Sequence, residues 1–476
     1  MSTVAYTLRI VPIERIYRPT LPAAAAVANQ HGIALRAQGR RNEALAALRD
    51  AVARFPDLAE LRSNLALVLD ESGETEAALR TYAQALAIAP ELAAAEIGMA
   101  AILLRGARTG EAKERYLRVL GREPDNVAAN LAMYEIEQIE GSPQSAIAFQ
   151  ARALAKQQVF TLAAPHERRR VLALLAPGDW LANTPVDFLF DRETTTLHKL
   201  YLVSPEQARL VVPPHADVVF NAIGESERCS EALNLASQLV ARLGVPYVND
   251  PQAVLRTNRM RLVECLNGIA NCVTPPVARV EREDLERGCL PFAPPYLIRP
   301  VDSHAGHDLS KIDATGELQG YLDRTRVPAY YVSPFVEYRR PDGYYRKYRV
   351  VCVDGIPYPY HLAISPNWMI HYYNAPMADN AWMRAEEERY LAGFESVFDA
   401  PLHRALRDVA LAVGLEYVGI DCSIGVDGRL LVFEVDPAII VHASDPAETY
   451  PYKRRYVTRI FKAVERMVDS RRARPL

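Results

Sequence analysis

The chain has 476 residues, 50% of them hydrophobic, with 55 basic and 58 acidic side chains that give a formal net charge of −3. This length exceeds what one hydrophobic core accommodates, so we expect about three or four domains. The small net charge argues against nucleic acid or an anionic membrane as the main partner. The six cysteines show no CxxC spacing, and no apolar run approaches the length of a membrane span. We therefore expect a cytoplasmic protein without disulfides or zinc knuckles.

The first third of the sequence repeats with a period of 34 residues, most visibly at Pro56, Pro90 and Pro124. Small residues recur at the same interval, in the series Ala44, Ala78, Ala112 and Ala146. Small residues let paired helices pack closely, and proline ends the second helix of each pair. The pattern resembles tetratricopeptide repeats. This resemblance implies an α-helical solenoid over residues 23–164, after an N-terminal segment 1–22.

Solenoids of this kind often present a groove to a peptide or another protein. The equivalent inward positions of successive repeats are mixed in character, namely Arg36, Asp70, Leu104 and Gln138. The sequence therefore predicts no charge-selective groove. Two alternatives stay open: the repeats recruit a peptide or protein, or they only pack against the rest of the chain or mediate dimers.

From about residue 168 the pattern changes to alternating strands and helices, which predicts a small parallel sheet followed by further α+β structure. The predicted strands lie at 168–178, 216–225, 245–250, 295–300 and 328–340, and the stretch 344–365 is predicted to hold two strands joined at Asp354-Gly355. The predicted helices lie at 230–244, 251–266, 378–394 and 401–413.

The stretch YVGIDCSIGVDGRLLVFEVDPA, residues 417–438, carries three acids near a turn. Asp427-Gly428 between apolar runs predicts a hairpin with a two-residue turn. In that register Asp421 lies opposite Glu434, and Asp436 points to the same face. Because directly opposed like charges are destabilising, we expect compensation by a nearby Arg or Lys, by exposure to water, or by a divalent cation.

This order of elements resembles the ATP-grasp superfamily over about residues 168–466. The stretches DVVFNAIGE and GVPYVNDPQAVLRTNRMRLVECL are similar to its D-alanine–D-alanine ligase and glutamate-ligase branches. The resemblance implies an α+β ATP-grasp fold in which two subdomains enclose ATP. The implied divisions are a parallel α/β pre-grasp domain at 165–255, a central subdomain at 256–345 and a C-terminal subdomain at 346–476.

By the same resemblance, Asp421 and Glu434 would hold Mg²⁺ between the phosphates of ATP. Asp436 stands where the superfamily usually has Asn and would be a further metal ligand. The phosphate-binding cations, which are usually lysines in these proteins, would be Arg259 and Arg299.

The resemblance also assigns the base side and the covering loop of the nucleotide site. Gly306 is the one glycine of the stretch DSHAGHD, which would cover the phosphates. The backbone groups of Phe335 and Val336 would contact adenine, and Glu337 would reach the base or the ribose.

Arg349 and Lys347 lie on one face of their predicted strand by alternation. The resemblance implies that the equivalent arginine lies near the transferred phosphate or the acceptor, so both are candidate catalytic residues; the alternative is a solvent-exposed sheet face. Further candidates for a substrate pocket are His361, His371, His442 and Lys453.

Together these features predict an enzyme that forms C–N bonds, an ATP-dependent ligase with ATP and Mg²⁺ as cofactors. It would join a small-molecule or peptide carboxylate to an amine through an acyl phosphate, with the repeats offering a place for a peptide or protein partner. Two alternatives stay open. The chain is an interaction scaffold with a catalytically degraded nucleotide-binding domain, or a kinase-like phosphotransferase on the same fold.

Overall fold

The structure is a computed structural model that describes residues 22–301, 303, 306–370 and 374–472. Its contacts divide the chain into two compact units. Unit 1 comprises Met1–Arg170, Pro177–Trp180 and Arg192–Val203; unit 2 comprises Val171–Ala176, Leu181–Asp191 and Ser204–Leu476.

The helices of the described residues are α1 Ala23–Ala37, α2 Arg41–Arg54, α3 Ala59–Glu71, α4 Thr75–Ile88, α5 Ala93–Arg105, α6 Thr109–Arg122, α7 Val127–Ile139, α8 Pro143–Lys156, α9 Pro205–Leu210, α10 Ser230–Leu243, α11 Pro251–Val254, α12 Arg259–Leu266, α13 Arg282–Glu286, α14 Glu317–Arg324, α15 Ala381–Ala392, α16 Phe394–Val397, α17 Ala400–Val413 and α18 Lys453–Arg472. The strands are β1 Val159–Leu162, β2 Arg169–Leu175, β3 Thr195–Tyr201, β4 Val218–Asn221, β5 Tyr247–Val248, β6 Cys272–Val273, β7 Ala278–Glu281, β8 Tyr296–Pro300, β9 Ser310–Ile312, β10 Ala329–Pro334, β11 Tyr345–Val353, β12 Ile356–Ser365, β13 Tyr417–Ile424 and β14 Leu430–Asp436. No helix of the described residues combines the length and the apolar composition needed to cross a membrane.

Unit 1 begins with α1 to α8, which pair as the 34-residue period predicts. The second helices of the pairs begin 34 residues apart, at Arg41, Thr75, Thr109 and Pro143. The predicted small positions Ala44, Ala78, Ala112 and Ala146 are completely buried. These alanines therefore lie where neighbouring helices pack closest, which is the role that the repeat pattern gives them.

The last helix pair is followed by a strand instead of the proline found after the earlier pairs. β1 pairs antiparallel with β3. The ring of Phe160 in β1 meets that of Tyr201 in β3 with centroids 6.0 Å apart. Both strands pack against the last two helices through Val127 and Leu154. The strand pair covers the apolar surface of the last helix pair, which a further repeat would otherwise have to cover.

Unit 2 contains the strands and helices that position the predicted site. β2, β4 and β5 run parallel, as the alternation of strands and helices predicts. A central antiparallel sheet has the strand order β7-β10-β8-β9, with an apolar core between the sheet and α13 and α14. The C-terminal sheet has the order β12-β11-β13-β14-β6, and only the short β6 pairs parallel among these strands.

The hairpin of β13 and β14 pairs Asp421 with Glu434, as predicted, but the turn length differs from the prediction and a β-bulge compensates for the difference. The predicted two-residue turn is wrong. The N–H of Gly425 donates to the carbonyl of Arg429 at 2.8 Å, which leaves three residues in the turn, and Gly428 adopts a φ of 79°. A β-bulge at Phe433 then adds one residue to β14 and returns the strands to the predicted register.

Candidate functional site

One face of the C-terminal sheet carries a row of polar side chains, one from each of four neighbouring strands. Arg349 in β11 lies opposite His361 in β12 on one side and Asp421 in β13 on the other. Asp421 lies opposite Glu434 in β14. Side chains at opposed positions point to the same face, so the register brings these groups together. We call this set, with Lys347 two residues before Arg349, the polar row.

Asp421 is enclosed by two cations of β11. Arg349 donates from Nε to Oδ1 at 2.6 Å and from Nη2 to Oδ2 at 2.8 Å, and Nζ of Lys347 lies 2.6 Å from Oδ2. The Asp421 side chain is only 3% exposed. Burial alone would raise the pKa of Asp421, but Arg349 and Lys347 outweigh it and hold this pKa well below its ordinary value. Compensation by Arg and Lys, one of the sequence-based alternatives, is therefore present.

Glu434 has its own partner, from a different element. Nη2 of Arg259 lies 2.8 Å from Oε1 of Glu434. Arg259 is the first residue of α12, because the predicted helix 251–266 is interrupted at Asn258, whose Oδ1 accepts from the N–H of Met260 at 3.1 Å. The Asn258 amide also donates to Glu225 at 3.2 Å. This N-cap fixes the direction in which Arg259 leaves the helix.

Arg299, the second predicted phosphate ligand, lies at the end of β8 and is nearly buried. Its Nε donates to Oγ of Ser303 at 2.9 Å, and its Nη2 donates to the Ser303 carbonyl. Burial and the nearby charge of Arg259 lower the pKa of Arg299 to about 10. Gly306 follows in the loop with a φ of 72°, a conformation that favours glycine.

Asp436 lies opposite Gly419 and accepts from the N–H of Ala438 at 2.8 Å. Burial and the neighbouring Glu434 raise the pKa of Asp436 to about 7. A Cβ atom on Gly419 would lie 2.6 Å from Cγ1 of Ile439. The segment after β14 therefore lies directly on β13 and closes the end of the polar row.

The carboxylates do not form a ready metal site. Carboxylate oxygens suit Mg²⁺, but Arg349 and Lys347 engage both oxygens of Asp421. Among the described residues, no group of three or more His, Cys, Asp or Glu is arranged to hold a metal ion. Over the part of the chain that the structure describes, the site holds four cations, Arg259, Arg299, Lys347 and Arg349, against three acids, Asp421, Glu434 and Asp436. Such a charge balance favours an anion over a free divalent cation.

Aromatic side chains that the sequence analysis did not connect lie beside the predicted adenine contacts. Val336 packs into a cluster with Tyr338, Tyr345, Trp368 and Phe433. The bulge of β14 falls at Phe433, whose ring centroid is 5.0 Å from that of Tyr338. The spacing of these residues along the chain gives no signal for the cluster, because they come from four separate segments.

The backbone and carboxylate predicted to contact the nucleoside are engaged within the protein. The N–H of Phe335 donates to the carbonyl of Pro295 at 3.0 Å. Oε1 of Glu337 accepts from the N–H groups of Tyr338 and Arg339 at 3.0 and 2.9 Å. Glu337 thus stabilises its own loop in this conformation.

The predicted pocket residues lie in different surroundings. His361 is buried, and burial together with the charge of Arg349 lowers its pKa well below the ordinary value. Nδ1 of His442 accepts from the N–H of Ser444 at 3.3 Å. His371 lies outside the described residues.

Lys453 forms the centre of a buried ionic group at the start of α18. Its Nζ lies 3.2 Å from Glu387 and 3.1 Å from Asp445. Glu387 is completely buried and also accepts from the hydroxyl of Tyr452 at 2.6 Å. The burial of Glu387 is not predictable from the sequence, because an acid within a polar helical stretch predicts an exposed position. These contacts hold α15 against the start of α18.

The tetratricopeptide repeat family model matches residues 30–57, which confirms the predicted repeat. No curated protein matches the chain.

Solved structures similar to the chain fall into two groups. A D-alanine–D-alanine ligase from Bacillus anthracis complexed with ATP is 12% identical, with a TM-score of 0.39, and the match covers 64% of this chain and 98% of that one. The VanG D-Ala:D-Ser ligase from Enterococcus faecalis is 12% identical, with a TM-score of 0.37 and coverage of 63% and 99%. MamA is 20% identical, with a TM-score of 0.26 and coverage of 28% and 77%.

Proposed function

We propose that unit 2 binds ATP at the polar row and uses it to join a carboxylate to an amine. The observation that carries the proposal is the convergence of cations from three elements around the buried Asp421 and the partly exposed Glu434. Arg259 comes from α12, Arg299 from β8, and Lys347 and Arg349 from β11. Converging guanidinium and ammonium groups in a poorly solvated place are suited to a polyphosphate.

The chemistry follows from this placement. Arg259 and Arg299 would hold the phosphates. The carboxylate oxygen of the substrate attacks the γ-phosphorus, the bond to the bridging oxygen breaks, and ADP leaves; Lys347 and Arg349 would stabilise the negative charge on the phosphoryl oxygens. The amine then attacks the carbonyl carbon of the acyl phosphate, loses a proton and displaces phosphate. The protein contributes positioning and electrostatic stabilisation and needs no side-chain nucleophile.

Mg²⁺ enters this proposal as the counter-ion of the nucleotide. The cationic site would repel a free divalent ion and attract the Mg-nucleotide complex, whose net charge is negative. The ion would neutralise phosphate oxygens when bound.

We propose that the repeats of unit 1 recruit a peptide or protein without selecting it by net charge. Charged side chains of successive repeats pair with each other instead of facing a ligand. Arg36 lies 2.7 Å from Glu71, and Arg105 lies 2.5 Å from Asp70. Titration of full-length protein with peptides of matched length and opposite net charge tests this. The proposal expects affinities that differ by less than about threefold, and a strong preference for one charge would contradict it.

The ligase proposal is tested by measuring ADP release with a pool of carboxylic acids, with and without a pool of amines. The expected result is ADP release that requires both pools and a product mass equal to acid plus amine minus water. Arg259→Met should abolish turnover. Arg261→Met, on the same helix, is the matched control and should leave it unchanged.

The scaffold alternative is favoured by one observation: the cations of β11 already have a counter-charge in Asp421. It predicts nucleotide binding without ADP release under any substrate combination. The kinase-like alternative predicts a stable phosphorylated acid in the absence of amines, so the same experiment separates all three.

A further inference from the structure

We infer that Asp421 is a positioning residue that holds Lys347 and Arg349 for the phosphate, and that it is not a ligand of the nucleotide's metal ion. The inference rests on the proposed function. It leaves Glu434 and Asp436 as the acids available to the ion. The sequence-based resemblance assigns all three acids to the metal ion, whereas this inference gives Asp421 a positioning role and leaves metal binding to Glu434 and Asp436.

Cations already engage both carboxylate oxygens of Asp421. Its two oxygens receive contacts of 2.6, 2.8 and 2.6 Å from Arg349 and Lys347, and its side chain is 3% exposed. A metal ion could take one of these oxygens only if a cation left a buried carboxylate. Breaking one side of a buried ion pair is strongly unfavourable, and the departing cation would then lie beside a second positive charge.

Asp421 also positions its two cationic partners, Lys347 and Arg349. Lys347 and Arg349 are two residues apart on one strand, so both point to the same face. Without an anion between them, these like charges would repel each other. Asp421 accepts both and fixes both side chains, and the bidentate contact with Arg349 fixes the plane of the guanidinium.

The other two acids are held differently. The Glu434 side chain is 41% exposed, and Arg259 contacts it at Oε1. Asp436 accepts a backbone N–H at Oδ1. A ligand at the polar row can therefore engage these two acids without breaking a buried, doubly held pair.

The test uses Mn²⁺ as the probe and a non-hydrolysable ATP analogue at saturating concentration, with free Mn²⁺ measured by electron paramagnetic resonance. Two charge-conserving pairs of substitutions are compared in the full-length protein. One pair is Asp421→Asn with Lys347→Met, and its matched counterpart is Glu434→Gln with Arg259→Met. Each pair of substitutions removes one acid and one of the cations that contact it, so the net charge of the protein stays constant.

The inference expects the first pair to keep the Mn²⁺ affinity within about threefold of wild type, while the second loses more than tenfold. Equal losses in both pairs would overturn it. If wild-type protein binds no nucleotide in a fluorescence titration with a labelled ATP, the proposed function fails first and the inference falls with it. The two failures are thus distinguishable.

A second measurement does not depend on the folding of an Asp421 variant. The side-chain Nε–H signal of Arg349, assigned from its loss in Arg349→Lys, reports the bidentate contact in wild type. The inference expects this signal to persist, still protected from exchange, when Mg²⁺ is added to the nucleotide-bound protein. Loss of protection on adding Mg²⁺ would show that the ion displaces Arg349, and would overturn the inference.

Discussion

His361 ends the polar row among positive charges, and this has a consequence for stability. Burial, and then the charges of Arg349 and Lys453, lower the pKa of His361 well below its ordinary value near 6.5. Between the two pKa values, His361 therefore binds a proton in the unfolded chain but not in the folded protein. The free energy of unfolding should fall as pH falls through about 6.5, by at most about 1.4 kcal/mol per pH unit for this group.

Replacing His361 by Gln removes the titrating group and should flatten that dependence. The measurement is urea unfolding in EDTA at pH 7, 6 and 5. His442, whose pKa burial also lowers, and Asp436, whose raised pKa of about 7 acts with the opposite sign, both stay in place, so the difference in slope between the variant and wild type reports His361. His31→Gln, at an exposed position of α1, is the control for replacing a histidine, and the prediction requires His361→Gln to change the slope more than His31→Gln does. Equal slopes in all three proteins would contradict the prediction.

The structure reverses the sign of the stability change that the sequence predicts for Glu434→Gln. Opposed carboxylates alone predict that neutralising Glu434 stabilises the fold. The ion pair with Arg259 at 2.8 Å reverses this expectation, because Glu434→Gln removes an attraction. The pair is partly exposed, so we expect a loss of about 0.2–1 kcal/mol.

The measurement for Glu434 is a double-mutant cycle with Arg259→Met, read from unfolding in EDTA. Glu434→Gln and Arg259→Met should show a positive coupling energy, while Glu434→Gln and Arg261→Met should show none. A Glu434→Gln variant more stable than wild type would mean that repulsion dominates and that the ion pair contributes little.

At the scale of the element, the hairpin turn sets the register of the acids. Gly428 has a φ of 79°, and Asp427 accepts the N–H of Arg429 at 3.1 Å. Gly428→Ala should therefore destabilise the protein by about 1 kcal/mol, because alanine avoids positive φ. Gly428→Asn should cost less, because Asn tolerates the left-handed region. Thermal unfolding of the three proteins checks the order, and equal losses for Ala and Asn would contradict it.

The hairpin also shows what the sequence could predict and what it could not. Asp427-Gly428 marks the turn, but the number of turn residues depends on the side chain of Asp427 and on the bulge at Phe433, which no pattern of apolar residues encodes. Alternation predicts that Lys347 and Arg349 share a face. It does not predict their contact with Asp421, because that pairing depends on which strand lies next to β11.

β3 was not predicted for a related reason. Its sequence TTLHKLY places His198 and Lys199 at buried positions, so the apolar run that marks a buried strand is missing. Nδ1 of His198 lies 2.8 Å from Oγ1 of Thr161 in β1, which gives this polar group a partner inside the strand pair. Long-range contacts of this kind override local pattern.

At the scale of the whole molecule, the chain passes between the two units several times before residue 204. Unit 1 includes residues on both sides of the predicted boundary at 165, among them β3. The division of the chain at 165 stays a prediction. The contacts inside unit 1 suggest what a cut there would expose.

A fragment of residues 165–476 lacks β1, α7 and α8 but retains β3. Tyr201 then loses the ring of Phe160 and the apolar surface that includes Val127 and Leu154. An unpaired strand edge beside an exposed apolar patch favours aggregation. We therefore expect 165–476 to be insoluble. The fragment 125–476 keeps α7, α8 and β1 but exposes the face of α7 that packs on α6, so it should be more soluble than 165–476 and less soluble than the full chain. The measurement is the soluble fraction and size-exclusion profile of both fragments beside the full chain. If 165–476 is as soluble as 125–476 and binds nucleotide, β3 does not need its partners in unit 1, and the boundary at 165 marks a separable nucleotide-binding domain.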